Sequence, residues 1–315
     1  MTIIQLEYIV AVDTYRSFVA AARQCFVTQP SLSMQIHKLE DELDVVIFDR
    51  SKSPVVPTPV GKLVIEQAKA ILGKSRQMRE LVSSTKNKIE GVLRIGIIPT
   101  LAPYLLPSLV AQFNKAYPKV KLEVWEYTTD IIVEYLKMDK LDCGLIATPV
   151  DEVGLVEKPL FYENFVVYTS SSNSLYQKKV IREEDLPSMG IWVLNEGHCM
   201  RNQVLNICSR KAHARASKNL EYNTGSVETL KRLVETNAGW TVLNELSIQD
   251  FSADQLDNVR FFRTPEPVRE ISLVTNKHFV KKGLASALEE EINQVIPSKM
   301  RAKEKKKVIS IDRQE

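Results

Sequence analysis

Beyond Gly91 the chain alternates apolar runs with amphipathic stretches, and few architectures accept that rhythm. Val92–Ile98 reads as a buried strand, Leu105–Ala116 as a helix and Val120–Val124 as a strand. Ile131–Met138 follows as a helix and Cys143–Ile146 as a strand. A strand at Asn164–Tyr168, a helix running through Val204, a helix at Ser226–Thr236 and strands at Gly239–Leu243 and Ile271–Val274 complete the series. Such alternation predicts parallel sheets covered by helices. The uncharged stretch Ile95–Asn114 is long enough to cross a bilayer, but Pro99, Pro103 and Pro107 would break a single helix. It reads as strand, loop and helix, and no membrane association is expected.

The first sixty residues follow a different pattern. Leu6, Ile9, Val10 and Phe18 are spaced as on short helices, and Phe18–Cys25 reads as a second one. Its small Ala20, Ala21 and Ala22 allow close helix crossing. Thr28 is a candidate N-cap, and Pro30 is well placed in a first helical turn. The helix from Ser31 to Leu43 is expected to bury Leu32, Ile36 and Leu39. Two helices joined by a short turn make helix-turn-helix geometry. Val45–Phe48 and Val55–Val56 bracket Asp49–Pro54 as a two-stranded wing. Short polar side chains at Gln29, Ser31, Ser33 and Gln35, beside Pro30, suit base edges, whereas Lys38, Arg50 and Lys52 suit phosphates. Residues 1–60 hold five Lys or Arg against seven Asp or Glu, so a positive footprint must come from local placement. An ordinary helical subdomain is the competing reading.

From Pro59 to Ile89, Val64, Ala68, Ile71, Ser75, Met78, Val82, Thr85 and Ile89 alternate steps of four and three, a heptad seam that predicts a dimerising linker helix. The end of the chain, Lys299–Glu315, is rich in lysine and reads as a solvated, frayed tail. The overall net charge of +3 names no partner by itself. Met1–Glu7 shows no secretory signal, so a reducing cytoplasm is the expected location.

The run Gly197-His198-Cys199-Met200-Arg201-Asn202-Gln203-Val204-Leu205-Asn206-Ile207-Cys208 places Cys199 where a loop enters a helix. A helix N-terminus stabilises a thiolate, and a thiolate is the species that peroxide oxidises. His198 and Arg201 add donors. On one helix, nine residues separate two cysteines by about 13 Å of rise. A disulfide needs Cα atoms within about 7 Å, so a bond here requires the helix to unwind. Two inert thiols, one of them in a core, remain the alternative. Cys25 and Cys143 read as buried small hydrophobes. His213 and His278 lack partners at metal-ligand spacing, so no metal and no cofactor is expected.

These motifs carry a resemblance. Ser17–Ala22, Val27–Ile36, Leu39–Leu43, Phe48–Arg50 and Thr58–Gly61 resemble, in order and spacing, the N-terminal signature of LysR-type transcriptional regulators. The α/β remainder is similar to the sensor module of that family. The resemblance implies a fold class of α-helical winged helix-turn-helix with a coiled-coil linker helix, plus an α/β two-lobed periplasmic-binding-protein-like sensor domain. The Gly-His-Cys-x-Arg-x-Gln-x-x-x-x-Cys run resembles the redox segment of the hydrogen-peroxide-sensing members. So do Leu93–Thr100, Pro103–Pro107, Lys140–Cys143 and Ser226–Leu230. The resemblance implies a peroxidatic Cys199 and a resolving Cys208. Thr100 and Thr129 would help hold the peroxide, with His198, Arg201, Gln203 and Arg269 supporting the site. Asn202 stands where the better-known relatives carry aspartate.

The expected organisation is a DNA-binding domain at 1–58, a linker helix at 59–90, a sensor domain at 91–300 and a basic tail at 301–315. Within the sensor, lobe I spans 91–162 and 267–297, and lobe II spans 163–266. The expected function is peroxide-controlled transcription rather than enzymatic turnover. The expected partners are promoter DNA, further copies of the chain in a dimer of dimers, RNA polymerase and a thiol reductant such as glutaredoxin or thioredoxin. A metabolite bound between the lobes, with the cysteines silent, is the second reading.

Overall fold

Thr2 closes a capping box with Gln5 and starts α1, Ile3–Tyr15. Ser17 caps α2, Phe18–Gln24, and Thr28 caps α3, Gln29–Leu43, with proline in its first turn. This computed structural model describes residues 1–84, 89–187, 190–208, 224–236, 239–301 and 306–311. The chain forms two compact units, Met1–Lys86 and Asn87–Glu315.

In the first unit the expected Leu32, Ile36 and Leu39 are all fully buried, against Leu6, Ile9, Val12 and Ala21. The wing is shorter than expected: β1, Phe48–Asp49, pairs antiparallel with β2, Val56–Pro57. α4, Pro59–Ser84, follows. A Cβ at Gly61 would lie 2.0 Å from the Ile47 carbonyl oxygen, so only glycine lets this helix start against that loop. Along the heptad seam Ala68 is buried in the core, whereas Ile71 and Met78 are exposed at 38% and 67%. Thr85 lies outside the described residues.

α3 ends on Asp44 in the left-handed conformation (φ 51°, ψ 43°), which favours glycine. Asp44→Gly is therefore expected to stabilise the first unit by about 0.5–1 kcal/mol, read as a higher urea midpoint followed by helix circular dichroism. An unchanged or lower midpoint would show that Asp44 makes a compensating local contact.

In the second unit β3, Gly91–Ile97, lies parallel between β4, Val120–Glu126, and β5, Cys143–Thr148. The helices α5, Ala102–Ala116, and α6, Thr129–Lys137, connect them. α5 begins earlier than expected because Pro103 sits in its first turn, where no backbone N–H is needed. The chain then departs from the expected parallel order. β6, Leu155–Thr169, pairs antiparallel with β11, Glu266–Asn276, which pairs antiparallel with β5. From Phe165 onward β6 pairs instead with β9, Trp240–Asn244, and from Val166 with β10, Val259–Phe262. The short β7, Val180–Ile181, and β8, Ile191–Trp192, extend this second group. The sheet is mixed because two long strands pass in opposite directions between two cores.

The first core gathers Leu93, Ile97, Leu105, Phe113, Ile132, Leu145 and Leu273 with α10, Lys282–Val295. The second gathers Val166, Tyr168, Val204, Ile207, Leu230 and Trp240. Among the described residues two helices pack into the second core, α7, Cys199–Ile207, and α8, Val227–Glu235, whereas the short α9, Ala253–Leu256, buries no residue.

The lysine-rich end is not frayed where it is described. Lys306–Val308 forms β12, parallel to β11. Ile309 is buried in the second core and Ile311 in the first. Burying an isoleucine is worth about 1.5–3 kcal/mol, which favours docking over a lysine-driven preference for solvent.

Candidate functional site

Two helix N-termini converge on one sulfur. Cys199 is the first residue of α7 and Thr129 the first of α6. The Cys199 Sγ–H donates to Thr129 Oγ1 at 3.1 Å. Both helices turn their positive ends toward this point, an arrangement that favours negative charge on sulfur or on an adjacent oxygen. Cys199 is half-buried and Thr129 buried.

Behind the sulfur lies a cavity of about 10 Å³ lined by Ile98, Thr100, Thr129, His198 and Cys199. That is room for about one water-sized molecule. In front lies an open cleft of about 480 Å³, bordered by Asp130, Glu152, His198, Asn202 and Ile311.

Thr100 is fixed by a fully buried cation. Arg269, on β11, donates from Nη1 to Thr100 Oγ1 at 2.8 Å and from Nη2 to the Thr100 carbonyl at 3.1 Å. Its Nε donates to Glu163 Oε2 at 2.7 Å, and neither side chain of this ion pair is exposed at all. Glu163 Oε1 accepts from Asn244 Nδ2 and from the Leu246 N–H, each at 2.7 Å. Glu163 and Arg269 lie on the two crossing strands, so the ion pair ties β6 to β11 and presents Thr100 to the cavity.

His198 is held below the usual histidine value by burial, so the ring is neutral near pH 7. A Cβ at Gly225 would come within 2.8 Å of its Nε2, so a glycine here leaves room for the ring. Cys208 ends α7 and is buried in the second core. Burial, with the charge of Glu183 in support, pushes its thiol up to about 12, so it stays protonated. With α7 helical, the two cysteines stand about 13 Å apart along the axis.

Not every expected residue gathers at the sulfur. Thr100, Thr129 and His198 do, and Arg269 acts through Thr100. Arg201 instead donates from Nη1 to the Leu194 carbonyl at 2.7 Å. Gln203 is fully buried and donates from Nε2 to the Ile309 carbonyl at 2.9 Å. It faces the docked tail, because Ile309 occupies that side of α7. Reading the residues for chemistry missed Glu163, whose lone acidic letter in a strand carries no motif. Cys143 is buried as expected, and burial raises its thiol. Cys25 is only half-buried. Among the described residues no group of three or more His, Cys, Asp or Glu could hold a metal ion, and no helix is long and apolar enough to cross a membrane.

On the first unit, Gln29, Pro30, Ser33, Met34, His37 and Lys38 share one shallow surface of α3. Arg50 is partly spoken for: it donates to Glu40 at 2.9 Å and to Ser33 Oγ at 3.2 Å, and lies over the Phe18 ring. The Gln35 side chain accepts from Gln5 at 3.4 Å, and Lys52 pairs with Asp49 at 3.6 Å. Ser31 donates its backbone N–H to the Thr28 cap. Phe26, 94% exposed in the turn before α3, stands beside this face and was not anticipated.

Residues 3–62 match the bacterial regulatory helix-turn-helix proteins of the lysR family, and residues 86–296 match the LysR substrate binding domain. The chain is 33% identical over 302 residues to a hydrogen peroxide-inducible genes activator of Haemophilus influenzae, covering 94% of this chain and 99% of that one. A full-length OxyR cysteine-to-aspartate variant from Pseudomonas aeruginosa superposes with a TM-score of 0.76 at 34% identity, covering 93% of this chain and 98% of that one. A Corynebacterium glutamicum OxyR cysteine-to-serine mutant with H2O2 bound gives a TM-score of 0.60 at 25% identity, covering 93% and 92%. The chain belongs to the LysR family of bacterial regulators and, within it, to the OxyR group.

Proposed function

We propose that this protein is a DNA-binding transcription regulator that senses hydrogen peroxide through Cys199 and resolves the oxidised sulfur with Cys208. The carrying observation is the placement of Cys199 at the α7 N-terminus, bonded to Thr129, with Cys208 sealed at the far end of the same helix. In the first step the Cys199 thiolate attacks one peroxide oxygen. An S–O bond forms, the O–O bond breaks, and the departing oxygen takes up a proton and leaves as water. Thr129 and the Arg269-fixed Thr100 supply hydroxyl donors where negative charge develops. In the second step the Cys208 sulfur attacks the sulfenic sulfur. The S–S bond forms and the hydroxyl leaves as water with the Cys208 proton.

Because α7 separates the two sulfurs, the disulfide requires it to unwind. That change would pass to the helix-turn-helix, where Gln29, Pro30, Ser31, Ser33 and Gln35 face base edges and Lys38, Arg50 and Lys52 approach phosphates. Dimerisation through a coiled coil along α4, pairing of dimers on promoter DNA, contact with RNA polymerase, re-reduction by a glutaredoxin- or thioredoxin-like thiol and a cytoplasmic location complete this reading. The exposed Ile71 and Met78 support the coiled coil.

The open cleft of about 480 Å³ favours a second reading, a small metabolite bound between the lobes. Differential thiol labelling and peptide mapping after one equivalent of hydrogen peroxide separate the two. A Cys199–Cys208 link with a changed DNA footprint, lost in Cys199→Ser, is expected. An unmodified Cys199 would favour the metabolite.

A further inference from the structure

Three amide side chains on one face of α7 hold three consecutive backbone carbonyls of the chain's C-terminal segment. Asn202 Nδ2 donates to the Ile311 carbonyl at 3.1 Å, Gln203 Nε2 to Ile309 at 2.9 Å and Asn206 Nδ2 to Ser310 at 3.1 Å. Positions i, i+1 and i+4 fall within about 100° of each other around a helix, so the set exists only while α7 is helical. The same segment is anchored on its other side. β12 pairs with β11 up to Val268, and the Ile309 N–H donates to the Val268 carbonyl at 2.9 Å, one residue before Arg269. Ile309 is buried in one core and Ile311 in the other, and Ile311 borders the cleft that opens on Cys199.

We propose that residues 306–311 are a positioning element of the sensor: a strap that keeps α7 helical and Cys199 at its N-terminus until the disulfide forms. This rests on the reading that Cys199 and Cys208 react in sequence. The strap's hydrogen bonds to α7 come from Asn202, Gln203 and Asn206. The strap opposes the second step, in which α7 must come apart, and leaves the first, set by Thr129 and Thr100, nearly unchanged. It also biases the thiol–disulfide equilibrium toward the dithiol, because its three bonds are lost on unwinding.

The test compares the full chain with a chain ending at Lys305 and with Asn206→Asp, in which an acceptor replaces the donor facing Ser310. Sulfenic acid at Cys199 is trapped with dimedone in a Cys208→Ser background, and disulfide formation is followed in the parent. A single lost hydrogen bond is expected to speed closure about fivefold, and truncation by about a hundredfold, with peroxide oxidation of Cys199 within about twofold of the full chain. The midpoint potential against a glutathione buffer should become more negative by about 30 mV per tenfold shift in the equilibrium. Equal slowing of both steps would make the strap merely structural and overturn the proposal. So would unchanged closure and potential in Asn206→Asp, whether or not the truncated chain folds. Failure of the full chain itself to form the disulfide would instead overturn the two-cysteine reading.

Discussion

Replacing Glu163 with leucine is expected to cost about 3–5 kcal/mol of folding stability, whereas Glu163→Leu with Arg269→Met should recover most of that loss. The asymmetry follows from burial. Neither side chain is exposed, so the single variant leaves a guanidinium in the interior with no counter-charge. It also strips Asn244 Nδ2 and the Leu246 N–H of their shared acceptor. The double variant still orphans those two donors, but it removes the larger electrostatic penalty. All three tryptophans, Trp125, Trp192 and Trp240, lie in the second unit, so urea unfolding followed by tryptophan fluorescence reads that unit directly. A double variant no more stable than the single one would mean that the ion pair is not what the interior needs there. The functional consequence is separate: without Arg269, Thr100 is no longer held toward the cavity, so even a stable double variant should oxidise Cys199 slowly.

How much of this was legible in the sequence depends on what masks a signal. α3 was legible because Leu32, Ile36 and Leu39 repeat with the helical period and Thr28 announces the start. Cys199 was legible because Gly197, with its positive φ of 88°, and His198 mark a loop entering a helix. The full length of the crossing strands was not: segments at Asn164–Tyr168 and Ile271–Val274 read as strands, but Glu157, Lys158 and Glu163 in β6 and Arg269 and Glu270 in β11 break the apolar runs beyond them. The two fully buried charges, Glu163 and Arg269, are tolerated because they pair across neighbouring strands far apart in sequence, and partner identity is invisible along the chain. The tail misled in a similar way: five lysines conceal the apolar Ile309 and Ile311 that dock it. Gln203 was placed at the site by the resemblance, and its position about 40° from Cys199 around the helix is compatible with that expectation. Only the docked Ile309 shows that it serves the tail.

The hydroxyl of Thr129 makes the sharpest demand on the proposed chemistry. Thr129→Val is expected to slow oxidation of Cys199 by hydrogen peroxide about a hundredfold, and Thr129→Ser to stay within a few-fold of the parent, since serine keeps the donor. In the reduced protein Thr129 accepts the Cys199 proton at 3.1 Å. Once that proton is gone, the same oxygen can donate, either to the sulfur or to the oxygen that departs. The two roles are separable. A donor that only stabilises the thiolate changes every reaction of Cys199 alike, including alkylation by iodoacetamide, which has no departing oxygen. A donor to the departing oxygen slows peroxide oxidation more than alkylation. Quenched-flow oxidation with peptide mapping, beside alkylation rates at the same pH, measures both. The cavity of about 10 Å³ leaves little space between the two threonines, so the hydroxyl that meets the sulfur also borders the space proposed for the peroxide. The larger loss is therefore expected for peroxide. Equal losses in both reactions would restrict Thr129 to the sulfur, and a valine variant oxidised as fast as the parent would remove it from the chemistry.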